Sequence, residues 1–196
     1  MEVAGVPRRG PGSRAGASHP THSALLGAAG AVLDRDGLHA LSIDTVTREA
    51  GLGKGTFYVH FDDRAALLVD LHRRFHDNVF DTVTQATSSM SPGPLRARVQ
   101  ILSFLDACRG EPGVRAMLLQ ARSEPAVAAE VRRRNDQAAK LLATDLKETA
   151  VHPLETARLL VAATAEVAVH ELEAGRRLPR LRAALTDLVG TEGAST

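Results

Sequence analysis

Tryptophan is absent from this chain, tyrosine and cysteine occur once each, and aromatic residues make up only 3% of the 196 positions. The core must therefore be built from leucine, valine and alanine, with five phenylalanines and little else aromatic. The lone Cys108 excludes an intramolecular disulfide framework and suits a reducing compartment. Its first reading is a small buried hydrophobe. Lysine is nearly missing too: Lys54, Lys140 and Lys147 are all there is, so arginine carries the positive charge. With a formal net charge of +1, composition announces no nucleic-acid partner. Long apolar runs are also lacking. The most apolar stretch, 154–172, is broken by Glu155, Arg158, Glu166, His170 and Glu171, which argues against a membrane span. The N-terminus has no uninterrupted apolar segment of the signal-peptide kind. A cytoplasmic protein is the expectation.

What is present is ordinary globular material, 44% hydrophobic and 24% charged, long enough to bury a core. No strand-like alternation of useful length occurs, so the fold class is all-α. Residues 1–20 are rich in Gly, Pro, Ser and Arg without apolar period and read as a disordered basic tail. Arg8, Arg9 and Arg14 make that tail either a solvated leader or an arm that adds DNA contacts. A small head is expected over 21–66 and a larger helical bundle over 67–196. In the head, Leu25, Leu26, Ala29, Val32 and Leu33 recur at helical spacing over 22–36, and Asp36-Gly37 stops the helix. Ser42 is a good N-cap for a second helix whose Ile43, Val46 and Ala50 face one way. Gly51 falls at its C′ position. A short third helix over 53–60 turns Phe57 inward, and Phe61 closes the unit. Asp62 and Asp63 can cap a fourth helix reaching about residue 86, with Leu68, Leu71, Phe75 and Val79 as its inward stripe. The Pro/Gly break at 91–94 reads as a boundary after that helix. Helices are then predicted over 94–110, 112–123, 125–148, 153–174 and 178–189, most of them opened by proline.

The 153–174 helix is apolar on most of its circumference, through Leu159, Leu160, Val161, Ala162, Ala163, Ala165, Val167, Ala168 and Val169. Such a helix needs cover on both sides. One layer is the domain itself, and a second copy is the expected other. With 125–148 as partner, this predicts a two-fold homodimer with a four-helix interface.

The most informative stretch is 51–61, Gly-Leu-Gly-Lys-Gly-Thr-Phe-Tyr-Val-His-Phe, directly after the second helix. Helix, glycine turn and short second helix is the layout of a DNA-reading helix-turn-helix. Lys54 and Thr56 can reach phosphates, Tyr58 and His60 can donate to them, and Thr56 can touch a thymine methyl. A P-loop reading fails, because Gly55 separates Lys54 from Thr56 and a helix precedes where a strand is needed.

Residues 41–68, above all 50–61 followed by Arg64-Ala65-Ala66-Leu67-Leu68, resemble the TetR family of bacterial repressors. The resemblance is close over roughly 22–70. It implies a dimeric, ligand-responsive repressor with a three-helix DNA-binding head and a C-terminal bundle for ligand binding and dimerisation. Its partners would be a near-palindromic double-stranded operator, a small-molecule effector and a second copy of the chain. The positions matching the family's DNA contacts are Thr45 on the second helix and Lys54, Gly55, Thr56, Tyr58 and His60 on the third. Arg64 stands in for the family's phosphate-binding lysine, keeping the charge and adding a fork. Gly53 replaces the usual Ser or Thr cap, a loss of only a few tenths of a kcal/mol. Asp44 suits its helix dipole but would repel phosphate if it faced DNA. Between His22 and Arg64 four cations face six acids, so affinity is expected to come from placement rather than bulk charge.

The bundle is expected to enclose a mostly apolar pocket, with Phe104, Cys108, Met117, Leu118, Arg122, Glu166 and His170 as candidate lining. His72 and His76, at i and i+4, could grip a metal, but no third ligand is evident and a solvated helix face is the expectation. No metal or cofactor is expected. No nucleophile motif occurs, so an enzyme has no positive support. The alternative to a DNA-binding regulator is an all-α interaction or ligand-binding module whose head does not read DNA.

Overall fold

The computed structural model describes residues 19–110 and 124–190. Among them every regular element is helical: α1 (Pro20–Asp36), a 3-10 turn (Leu38–Ala40), α2 (Ile43–Glu49), α3 (Lys54–His60), α4 (Arg64–Thr87), α5 (Pro94–Gly110), α6 (Pro125–Ala143), α7 (Pro153–Ala174) and α8 (Pro179–Asp187). No helix among the described residues is long and apolar enough to cross a membrane. The chain forms two compact units that divide between Leu67 and Leu68, inside α4. The break at 91–94 therefore lies within the second unit, as a turn between α4 and α5. The helix expected at 112–123 and tail residues 1–18 fall outside the described residues.

In the first unit, α1 begins two residues before the predicted start. His19 is its N-cap and accepts from the Thr21 amide, and Pro20 occupies the first turn, where a missing N–H is harmless. The apolar face read from the sequence is the core: Leu25, Ala29, Val32, Val46 and Phe57 are each at most 1% exposed. Leu38, which opens the 3-10 turn, Leu41, which follows it, and Phe61 complete it.

In the second unit α7 is the central helix, packing on α6, α5 and α8. Ala97, Ile101, Leu105 and Cys108 of α5 are buried, as are Val127, Ala139 and Leu142 of α6. The predicted stripe of α4, Leu68, Leu71, Phe75 and Val79, is buried too. The α7 sequence is apolar nearly all round, but one chain covers only part of it. Leu160, Val167 and Ala168 are buried while Leu159 is 73% exposed and Ala162 is exposed beside it.

The second unit also holds two buried carboxylates at helix ends. Glu171 accepts from the Leu178 amide at 2.7 Å and from both prongs of Arg182 at 2.7 and 2.6 Å. Burial pushes its carboxyl up; Arg182 and the amide outweigh that and hold it below the ordinary value. Asp145 accepts from Arg96 Nε at 2.7 Å and from the Gly93 amide at 3.0 Å. That attachment gives a reason why α6 ends at Ala143 instead of running on to residue 148: the following turn is drawn into a buried ion pair.

Candidate nucleic-acid interface and ligand cavity

Sequence dictates the turn between α2 and α3 in detail. Ser42 and Thr45 form a reciprocal capping box: the Thr45 amide donates to Ser42 Oγ at 3.1 Å and the Ser42 amide donates to Thr45 Oγ1 at 2.9 Å. At the other end Gly51 has φ +65°, the left-handed conformation that only glycine adopts without strain. The Leu52 amide reaches the Thr47 carbonyl at 2.8 Å and the Gly51 amide reaches Arg48 at 3.2 Å, which together make a Schellman stop. Gly53 then caps α3 through backbone alone, at φ −82° and ψ 155°.

α3 has one inward side chain, Phe57, at 0% exposure, with the Tyr58 ring edge-on to it at 5.5 Å. The opposite side presents Lys54, Gly55 and Tyr58, the last 57% exposed, with Thr56 half-buried. Of the residues singled out from the sequence, these four leave the helix open toward a partner in the first unit.

The others are engaged internally. Thr45 Oγ1 donates to the Ala40 carbonyl at 2.8 Å and serves the capping box, so its hydroxyl braces the start of α2. His60 Nε2 hydrogen-bonds Thr21 Oγ1 at 2.7 Å, and its ring packs among His19, His22 and Phe61. Burial, with His22 and His19 nearby, lowers its pKa, so near neutral pH it ties α3 to α1 as an uncharged group. Arg64 Nε donates to the Leu41 carbonyl at 2.8 Å, fastening the α4 start to the segment before α2. Lys54 is exposed, but its Nζ lies 2.6 Å from Asp44 Oδ1 on α2, and that bond raises its pKa. Arg48 is exposed on α2 and makes no ion pair among the described residues.

A cavity of about 400 Å³ opens in the second unit among α4, α5, α6 and α7. Val79, Val83, Ile101, Phe104, Leu142 and Val161 supply apolar wall; His76, Gln100, Arg134 and Asn135 supply polar groups. Of the candidates from sequence, Phe104 lines it. Cys108 is buried at 0% exposure but is not in the wall. Glu166 and His170 are corrected: each is about half exposed, 3.6 Å from the other on the outward face of α7. The buried acid of that helix is instead Glu171. Met117, Leu118 and Arg122 lie outside the described residues.

The expectation of a solvated histidine pair on α4 is also overturned. His72 is 0% exposed, and its ring centroid lies 4.4 Å from that of His76. Both His72 nitrogens and His76 Nε2 are buried without a hydrogen-bond partner among the described residues. Burial lowers His72 to about 4 and, with His72 and Arg134 adding to it, His76 to about 3. Nearby Glu130 is held down to about 2, chiefly by the hydrogen bond from Arg133, with Arg134 helping against burial. No group of three or more metal-ligating side chains occurs among the described residues.

A helix-turn-helix with its second helix open to solvent, followed by a helical unit with a ligand-sized cavity, is the layout of DNA-binding transcriptional regulators. Comparison with known proteins agrees. Residues 25–71 match the family model of bacterial regulatory proteins, tetR family. Over 110 residues the chain is 28% identical to the HTH-type transcriptional activator FasR of Mycolicibacterium smegmatis, covering 55% of this chain and 50% of FasR. The match thus spans half the length of that relative. A transcriptional regulator from Rhodococcus sp. Rha1 superposes with a TM-score of 0.73 at 19% identity, over 86% of this chain and 93% of its own. The regulator FadR from Bacillus subtilis, solved with stearoyl-CoA, gives 0.73 at 15% identity, over 86% and 97%. The match to the tetR family model thus covers the helix-turn-helix unit and the start of α4, and the solved regulators share the fold of the chain.

Proposed function

We propose that the chain is a repressor that acts as a homodimer in the cytoplasm, with a head at 21–66 and a ligand-binding and dimerisation bundle at 67–196. Each α3 enters one of two successive major grooves, about 34–36 Å apart, on a near-palindromic operator. The observation that carries this reading is α3 itself: a seven-residue helix fixed by one buried ring, with Lys54, Gly55 and Tyr58 turned outward. Tyr58 and Thr56 supply base or phosphate contacts, Lys54 and Arg48 supply charge, and the α3 N-terminal amides supply neutral donors. Thr45, His60 and Arg64 position the helix from behind. The dimer is supported by the uncovered stripe of α7, where Leu159 and Ala162 face outward between polar neighbours.

A small molecule in the second-unit cavity favours a conformation of the dimer in which the two α3 helices no longer match the groove spacing. DNA and effector then oppose each other with a reciprocal coupling free energy. FasR is named as an activator, so a reporter fused to the target promoter fixes the sign of regulation. The test of DNA reading is a gel shift with the chain's own upstream region. The unaltered protein forms a specific complex, and the Lys54→Ala, Tyr58→Ala double variant loses it while remaining dimeric in sedimentation. Equal affinity for scrambled DNA would sink the proposal.

The head that does not read DNA is favoured by one observation: the Lys54–Asp44 ion pair, which occupies the only lysine of the head. An unaltered gel-shift pattern in the double variant would support it.

A further inference from the structure

The charge ledger of the cavity wall identifies the kind of molecule the wall accepts. Its two arginines are both engaged by carboxylates. Arg96 is bound to buried Asp145 at 2.7 Å, and Arg134 to Glu130 at 3.2 Å and Asp77 at 2.8 Å. Around Arg134 the ion pairs balance: Arg73, Arg133 and Arg134 against Asp70, Asp77 and Glu130. No carboxylate lines the cavity among the described residues. An anionic ligand would have to displace buried Asp145 from Arg96, or compete with Glu130 and Asp77 for Arg134. A cationic ligand would meet no carboxylate in the wall. Either charge would be buried uncompensated.

The neutral polar groups are in the opposite state. Thr87 and Thr164 spend their hydroxyl protons on helix carbonyls at 2.8 and 2.7 Å, which leaves acceptor lone pairs. Gln100 and Asn135 line the wall and have no side-chain hydrogen bond among the described residues. His76 Nε2 is buried with no partner, and an imidazole nitrogen of this kind is satisfied by one uncharged donor or acceptor.

We propose that the cavity takes a neutral, mainly apolar molecule carrying a compact uncharged hydrogen-bonding head, with the head at His76 and the apolar body between α4 and α5. This rests on the ligand-responsive reading above and narrows its effector class. At about 400 Å³ the cavity lies at the lower end of the range for drug-sized ligands, so ten-carbon probes are suited to it.

The test is calorimetric titration of the full-length protein at pH 7.5 with four probes of one chain length: 1-decanol, decanamide, decanoate and protonated decylamine. The neutral pair is expected to bind at least tenfold more tightly than either ion. His76→Phe is expected to erase the advantage of decanamide over decanol while leaving binding of the chain. If His76→Phe does not fold, Gln100→Leu provides a second variant, expected to weaken decanamide more than decanol. Decanoate or decylamine binding as tightly as the neutral probes overturns the proposal, and so does failure of all four to bind. A gel shift on the same preparation tests the parent reading separately. Loss of a specific DNA complex would remove the regulator assignment and leave the order of probe affinities standing.

Discussion

At the scale of single residues, the head separates side chains that hold α3 from side chains that α3 offers. Phe57 and Tyr58 are neighbours in sequence and opposites in role. Phe57→Ala removes a fully buried ring and is expected to cost about 3–5 kcal/mol. Tyr58→Ala, at an exposed site, is expected to change stability by no more than about 0.5 kcal/mol. Urea denaturation of the two variants checks this directly, and a large loss from Tyr58→Ala would place that ring in the core. Asp44 gives a second test. Asp44→Asn releases Lys54, so operator affinity should rise and the slope of log K against log salt should steepen by about 0.9 per phosphate gained. Fluorescence anisotropy across a potassium chloride series measures both. The sequence made Tyr58 and Phe57 legible because period and residue type agree there. It could not show that His60 and Arg64 are engaged, because their partners Thr21 and Leu41 lie at separations that no local pattern encodes; Thr45, bonded within five residues, is engaged by a local capping box.

At the scale of elements, caps and stops carried most of the information. Ser42, Gly51, Asp63 and the prolines at 94, 125 and 153 fix the helix ends with little help from tertiary structure; the Asp63 carboxylate, for instance, accepts from the Ala66 amide at 2.8 Å. The C-terminal end of α6 was not readable, since it depends on Asp145 meeting Arg96 across 49 residues. The turn between α2 and α3 offers a paired prediction. Gly51→Ala forces a side chain into φ +65° and should destabilise the head by about 1–2 kcal/mol. Gly53→Ser enters open space at an ordinary φ and supplies the missing cap, a gain of a few tenths of a kcal/mol. Thermal denaturation should move the two variants in opposite directions. A stabilised Gly51→Ala would mean that the turn relaxes into another conformation.

At the scale of the whole molecule, the buried histidines of α4 set the acid limit. Above pH 6.5 His72 and His76 are neutral whether folded or unfolded and contribute nothing. As pH falls below that, the unfolded chain takes up protons that the folded chain refuses, so stability declines by up to ~1.4 kcal/mol per unit for each ring. For His72 the decline ends near its folded value of about 4, a loss on the order of 3 kcal/mol. Glu130 adds to it lower down: its contribution is complete above the ordinary glutamate value and is lost as pH falls toward about 2. Urea unfolding at pH 7.5, 6 and 5 should show the slope, and His72→Phe should flatten it. A wild-type stability unchanged between pH 7.5 and 5 would refute the buried-neutral assignment. The spacing of this pair was plain in the sequence. Its burial was not, because a histidine on a helix is equally compatible with either face.

The Lys54–Asp44 pair has a consequence for how such a protein searches a genome. A regulator competes for its operator against millions of random sites that offer phosphates and nothing else. A lysine free in solution binds all of them. A lysine already held by an aspartate at 2.6 Å gains little from a random phosphate, which merely replaces one anion with another. On the reading proposed above, Tyr58 and Thr56 make their own contacts at the operator, and the lysine's exchange of partners comes with them. Asp44 thus acts as a resident decoy. On the reading proposed above, it lowers affinity for every DNA complex in which Lys54 must leave Asp44, random or specific alike.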